Sequence, residues 1–176
     1  MRSNPLMRFK GQLQNFSKEI KGLLLVYLFV TSIGFLSALQ FVNLTTEGGQ
    51  PKGIQENYLG NEEDEYAEEL KFAKSEKQIL NIVHTHMMAM GMLFFLLAGI
   101  FYTTPTKGFL RKFLLFEPLL SVFFTFAGIY LLFRGILWMR YVIAISGILM
   151  TTSYVLTLGI IVYFILKKPI QSPSES

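Results

Sequence analysis

Long apolar segments alternate with short charged ones along this chain. Four stretches contain no Asp, Glu, Lys or Arg, namely residues 22–42, 82–102, 119–133 and 141–166. Each is close to, or just short of, the roughly 20 apolar residues that a helix needs to cross the hydrocarbon of a bilayer. The pattern predicts membrane helices over about 22–42, 81–102, 112–133 and 137–166. The predicted fold is therefore an all-α, integral membrane four-helix bundle.

The segments around these spans predict the rest of the organisation. Residues 1–20 form a basic leader whose apolar side chains recur every three or four positions, as in an amphipathic helix on the cytoplasmic leaflet. Residues 21–169 form the membrane domain, which includes one acidic loop at 43–77. Ser75 and Gln78 fit a capping box, so the second helix is predicted to begin at Glu76. Residues 170–176 are predicted to be a disordered tail.

The distribution of positive charge predicts the orientation. Basic residues flank the spans in the leader, in the 107–112 loop and at Lys167 and Lys168. By the positive-inside rule these segments are cytoplasmic, which puts both termini there. The acidic loop is then periplasmic, and the expected location is the inner (cytoplasmic) membrane of a bacterium. Arg134 and Arg140 lie on the outer side and run against the rule.

The amino-acid composition limits the kinds of chemistry that this chain can carry out. Hydrophobic residues make up 52% of the chain and charged residues 16%, which is typical of a protein whose first partner is the lipid bilayer. The formal charge of +4 reflects this topology and does not indicate a nucleic-acid surface. The chain has no cysteine, so disulfides, thiolate-bound iron–sulfur clusters and c-type haem attachment are excluded.

The sequence His84-Thr85-His86-Met87-Met88-Ala89-Met90-Gly91-Met92 contains both histidines of the chain and four of its eight methionines. Residues two apart on a helix point about 200° apart, so the two histidines cannot enter one pocket. His84 lies above Met88, and His86 lies above Met90. Imidazole with thioether suits copper, and imidazole alone suits haem iron. The alternative is that these side chains only pack and anchor the helix.

A haem b in such a bundle takes axial ligands from two helices, and this chain has no histidine elsewhere. Three arrangements stay open: His with Met, five-coordinate iron, or a haem shared between protomers of a homodimer. Quinone is a further alternative, copper a less favoured one, and the absence of any cofactor another. The candidate cofactor-binding residues are His84, His86, Met88, Met90 and Arg140, with His84 and His86 as metal ligands.

Two further residues are candidates. Gln40 and Arg140 are placed at the depth of the histidines, where the arginine would pair with a haem propionate or the acidic loop, or anchor at the interface. Glu117 is the one carboxylate inside a span, and lies on the cytoplasmic side. It would accept a proton, snorkel, or pair with Arg111 or Lys112. One compact site cannot use both Glu117 and the histidines.

Four short motifs carry a family resemblance: Asn57-Tyr58-Leu59-Gly60-Asn61, Phe72-Ala73-Lys74-Ser75, His84-Thr85-His86 and Trp138-Met139-Arg140-Tyr141. They resemble little-characterised bacterial four-helix membrane proteins that have a His-x-His motif on the second helix and accompany multihaem cytochromes or respiratory complexes. The resemblance implies a redox setting and points to His84, His86 and Arg140 without assigning their roles.

Two functions are expected from these observations. The first is a redox-associated subunit of an electron-transfer or respiratory-type complex, non-catalytic or transferring electrons. It would have a haem, quinone or copper site near the periplasmic face and partners such as c-type cytochromes. The second is a cofactor-free accessory or assembly subunit that binds partner proteins in the membrane.

Overall fold

The computed structural model describes residues 13–67 and 69–167. It contains a 3₁₀ turn at Leu13–Asn15 and helices α1 (Lys18–Thr45), α2 (Pro51–Leu59), α3 (Glu76–Tyr102), α4 (Gly108–Phe133) and α5 (Met139–Leu166). All of these helices except α2 are long and apolar enough to cross a membrane. The predicted four-helix membrane bundle is confirmed, and the protein is a multi-pass membrane protein.

Helix α4 is the centre of the bundle. It has eleven buried residues, whereas α1 has two, Leu28 and Phe35. The most extensive contact between two helices is that of α4 with α5. In this contact an added Cβ on Gly128 would lie only 3.0 Å from the side chain of Ile143. The hydroxyls of Thr125 and Ser146 meet at 2.7 Å in the same contact. This pair fixes the antiparallel register of the two helices.

Helix α1 lies at the periphery and contacts both α3 and α5 through one aromatic side chain. The ring of Phe35 stacks on Tyr154 of α5 with centroids 4.0 Å apart, and meets Phe94 of α3 edge-on at 6.4 Å. From Leu36 to Leu44 most side chains of α1 are exposed, so its outer half packs little against the bundle. Lipid is the expected environment of that face.

Helix α3 begins as predicted. Ser75 accepts a hydrogen bond from the backbone of Gln78, and the Gln78 side chain bonds back to the Ser75 backbone, which forms the complete capping box. The helix ends at Tyr102, where Thr103 and Thr104 bond back to the last turn before Pro105. Helix α4 runs from Gly108 to Phe133, within one residue of the helix predicted from about Phe109 to Phe133.

Two segments differ from the predictions. The loop at 43–77 contains the helix α2, which was not predicted. The leader was predicted as one surface helix, but at residues 13–17 the chain forms only a short turn, and Leu13 and Gln14 are buried. The Leu13 N–H donates to the Thr103 carbonyl, so this part packs under the end of the bundle where α3 meets α4. Residues 1–12 and the tail predicted to be disordered lie outside the described residues.

Candidate functional site

An ordered cap covers the end of the bundle where α1 ends and α3 begins. We call this the outer end and the opposite one the inner end, after the orientation that the sequence predicts. The cap consists of α2 and residues 60–74, and we call it the outer cap. The Asn61 N–H donates to the Lys71 carbonyl at 2.9 Å, the Lys71 N–H donates to Asn61 Oδ1 at 2.6 Å, and the Lys74 N–H donates to the Tyr58 carbonyl at 3.1 Å. Two of the sequence motifs, 57–61 and 72–75, are thereby brought side by side.

Glycine is required at the sharp turn of the outer cap. Gly60 ends α2 with φ of +82°, a conformation that residues with a Cβ rarely adopt. An added Cβ would also lie 2.7 Å from the backbone nitrogen of Ala73. At the other end of α2, a Cβ on Gly53 would come within 2.3 Å of the Thr46 carbonyl, so α2 packs directly on the end of α1.

Two lysines form ion pairs with glutamates of the acidic loop. Lys71 lies between Glu47 at 3.5 Å and Glu56 at 3.6 Å, and Lys52 reaches Glu56 at 3.4 Å. Lys74 donates to Asn57 and sits 5.3 Å above the ring of Tyr58. Burial, and secondarily the charge of Lys71, lower the pKa of Lys74. The outer cap is therefore a folded, internally paired unit.

Arg140 joins α5 to the outer cap. Its Nη1 donates to Gln55 of α2, and its Nη2 donates to the Tyr141 hydroxyl at 3.2 Å. Its Nε is buried and has no acceptor among residues 13–67 and 69–167. Arg134 pairs with Glu76 at the start of α3, at 3.7 Å. The two arginines that run against the positive-inside rule thus both contact polar groups of the outer side.

An open cleft of about 810 Å³ lies beside Arg140. Its lining is polar and of mixed charge, with Lys52 and Arg140 facing the carboxylates of Glu56, Glu62, Glu63 and Asp64. Gln40 does not reach this cleft. It is exposed on α1 and lines a separate shallow depression with Leu36, Leu39, Val42, Asn43 and Gly48. The structure therefore does not bring Gln40 and Arg140 together.

The two histidines have different surroundings. The His86 ring stacks on Phe126 of α4, with centroids 5.2 Å apart, and its Nδ1 is 2.9 Å from the Ile82 carbonyl. A carbonyl oxygen only accepts, so Nδ1 carries the proton and donates it, and Nε2 keeps a free lone pair. His84 is exposed, and no hydrogen bond to its ring occurs within the described part of the chain.

The methionines divide in the same way. Met88 and Met92 are exposed, on the stripe headed by His84, whereas Met90 is partly buried one turn below His86. A ligand one turn away on the same helix cannot occupy the opposite axial position of an iron held by His86. The described residues contain no group of three or more His, Cys, Asp or Glu side chains that could hold a metal. A haem iron at His86 would therefore take a second axial ligand from outside this stripe of α3 or stay five-coordinate.

Glu117 lies apart from all these residues. His86 is level with Phe126, and Phe126 is nine residues from Glu117 on α4, or about 14 Å along the helix axis. The Glu117 side chain is buried, and no ion pair to it occurs among the described residues. Arg111, one of its two expected partners, instead donates to the carbonyls of Tyr102 and Thr106.

A family model for a transmembrane helical domain, Aq_1264_TM, matches residues 48–172. The chain belongs to this family. The match begins just before α2 and runs past the end of α5, so the Aq_1264_TM domain comprises the outer cap, α3, α4 and α5, while α1 lies before it. No curated protein and no solved structure matches the chain.

Several residues that organise the Aq_1264_TM domain were missed from the sequence. Gln55 binds Arg140, Asn61 joins the two halves of the outer cap, and Lys71 bridges two carboxylates. One signal for α2 was available in the sequence. Proline suits the first position of a helix and glycine the position just after its last residue, so Pro51 and Gly60 mark the two ends of a short helix. The partners of Gln55 and Lys71 are far away in sequence and had no such signal.

Proposed function

We propose that this protein is a redox-associated subunit of the bacterial inner membrane, with the outer cap on the periplasmic side. In this proposal His86 presents its Nε2 to a group outside this chain. The observation that supports it is the fixed imidazole: Nδ1 donates to the Ile82 carbonyl while the ring rests on Phe126. Histidines that bind metals commonly donate their other ring N–H to a carbonyl in this way.

The tautomer limits what His86 can bind. A lone pair on Nε2 suits haem iron or the hydroxyl donor of a quinol, but it cannot donate to a quinone carbonyl. In this proposal a haem at His86 either shares its second axial ligand with a partner subunit or a second copy of the chain, or its iron stays five-coordinate. His84 and Met88 would then contact lipid or that partner.

The test is an absorption spectrum of the protein purified in mild detergent, with iron and copper analysis and lipid extraction on the same sample. The proposal predicts either a Soret band with stoichiometric iron or co-extracted quinol. A sample of the native membrane complex that contains neither, and no copper, would contradict the redox assignment. The native membrane complex is the sample that decides, because it keeps any ligand that a partner subunit supplies.

The second candidate is a cofactor-free accessory subunit that docks a basic partner, such as a c-type cytochrome, on the outer cap. It is favoured by the exposed acids Glu63 and Glu65 on a folded surface. The double variant Glu63→Lys and Glu65→Lys should weaken co-purification of the partner complex in low salt. Unchanged recovery would contradict docking at this surface.

A further inference from the structure

The inner half of the bundle contains a buried carboxyl group with only one partner. Glu117 is 8% exposed. Its Oε1 accepts a hydrogen bond from the Ser121 hydroxyl one turn away. Its Oε2 is buried and has no hydrogen-bond partner in residues 13–67 and 69–167. Since buried polar atoms are normally paired, this unpaired oxygen needs an explanation.

Glu117 lies in the inner half of α4. It is nine residues from Gly108 and sixteen from Phe133, or about 14 Å from the inner end of α4 and about 24 Å from the outer end. The aqueous phase at the inner end is therefore the nearer one.

Within residues 13–67 and 69–167, no cation pairs with Glu117. The neighbouring spans are free of charged residues over 22–42, 82–102 and 141–166. The described basic residues nearest to it lie at the inner end of the bundle: Lys21, Lys107, Arg111, Lys112 and Lys167. Of these, Arg111 uses its donors on two carbonyls and stacks 4.3 Å from the ring of Tyr102. An ionised Glu117 would thus be a buried charge without a counter-ion.

The face of α5 opposite Glu117 is also polar. Because Thr125 meets Ser146 in an antiparallel contact, Glu117, two turns further inward on α4, lies level with Ser153 and Tyr154. One turn below them, Thr157 is 1% exposed and its hydroxyl has no partner among the described residues. Pro118 has no N–H, so it also leaves the Leu114 carbonyl without its helical donor. This part of the bundle therefore contains several polar atoms without a hydrogen-bond partner among the described residues.

We infer that Glu117 is a proton-binding site. The carboxyl can hold a proton on Oε2, the oxygen that has no hydrogen-bond partner among the described residues, while Oε1 accepts from Ser121. A neutral acid avoids the desolvation cost that an unpaired carboxylate would incur at this depth. The proton exchanges with the inner aqueous phase, which is the nearer one. This inference does not rest on a haem or quinol at His86.

The test is labelling with dicyclohexylcarbodiimide, an apolar reagent that needs the un-ionised acid. The acid protonates a carbodiimide nitrogen, its oxygen adds to the central carbon, and the adduct rearranges to a stable N-acylurea. An exposed glutamate with an ordinary pKa is un-ionised in only about one molecule in 500 at pH 7. The full-length protein in detergent should therefore carry at least about a hundredfold more adduct on Glu117 than on an exposed acid such as Glu76.

The controls separate this effect from general reactivity. Glu117→Gln should lose the adduct, whereas Glu76→Gln, which removes an exposed carboxylate, should keep it. Peptide mapping of the unsubstituted protein gives the answer even if Glu117→Gln does not fold. Labelling of Glu117 no stronger than that of Glu76 at pH 7 would overturn the inference. So would an infrared spectrum in which Glu117→Gln removes a carboxylate band and not the C=O stretch of an acid.

Discussion

The outer and inner ends of the bundle both contain polar side chains, but these find their partners in different ways. At the outer end the partners are distant in sequence, as in Arg140 with Gln55 and Lys71 with Glu47. In the inner half Glu117 and Arg111 have partners close in sequence, Ser121 and Thr106. These polar groups of the outer end are therefore held by contacts between distant segments, whereas Glu117 is held within its own helix and Arg111 at the connection between α3 and α4.

The difference matters for function because the two ends leave different atoms free. At the outer end a ring nitrogen of His86 remains exposed on a fixed imidazole, where a group outside the chain can reach it. In the inner half a carboxyl oxygen remains free but buried, where only a very small species such as a proton fits without rearrangement. The two proposals follow from this contrast and can fail separately.

The largest expected effect is in a labelling experiment that tests which end of the bundle faces the outside of the membrane. The chain has no cysteine, so single cysteines can be introduced into a clean background. Glu63→Cys in the outer cap should react completely with a membrane-impermeant maleimide in intact cells, and Lys107→Cys should react only after permeabilisation. The reverse pattern would invert the assignment of outer and inner ends.

The next effect tests whether the outer cap is a folded unit. Gly60→Ala forces a Cβ into a left-handed backbone position and against Ala73, which should destabilise the outer cap by about 2 kcal/mol or more. Limited proteolysis of the 60–74 segment measures this. Gly99→Ala is the matched control, because its Cβ meets nothing within 4 Å in the described structure. Equal protease resistance of the two variants would mean that the cap is not held by its turn.

A comparable effect is expected for the inner half. Arg111 is 9% exposed and donates to two carbonyls, at 3.1 Å and 3.3 Å. Arg111→Gln should lower the free energy of unfolding in mixed micelles by about 2 kcal/mol, because hydrogen bonds from a charged donor are lost at a buried site. Lys112→Gln, at the exposed neighbouring position, should change it little. Equal losses for both variants would show that general charge, and not the carbonyl contacts, stabilises this end.

The smallest effect is expected for the exposed ion pair at the outer end. Arg134 and Glu76 are both more than half exposed, so water and salt screen their interaction. Arg134→Gln should reduce the free energy of unfolding by no more than about 0.5 kcal/mol. A loss of unfolding free energy as large as that of Arg111→Gln in the same assay would mean that Arg134 stabilises the protein by more than its ion pair with Glu76.

The fold was predictable because its main signals are local. Charge-free stretches of helical length predicted the four spans, and Ser75 with Gln78 predicted the start of α3. The helix α2 was missed because it is short, and because its stability depends on packing against the end of α1 at Gly53 and Thr46. Periodicity along nine residues carries little information about such contacts.

The site was predictable only in part. The sequence placed the histidines on opposite faces of one helix, but it could not show that Phe126 and the Ile82 carbonyl hold one of them. It also placed Glu117 near the interface with a basic partner as one alternative. The structure instead buries Glu117 with Ser121 as its partner, while Arg111 donates to a carbonyl at the end of α3. Both outcomes depend on contacts between helices.

The most direct test of the proposed function compares the two histidines in matched variants. His86→Ala should abolish the Soret band, or the co-extracted quinol, of the native complex, because it removes the fixed imidazole. His84→Ala removes an exposed imidazole of the same chemistry from the same helix and should leave the signal at the level of the unsubstituted protein. Loss of the signal in His84→Ala with retention in His86→Ala would contradict the account.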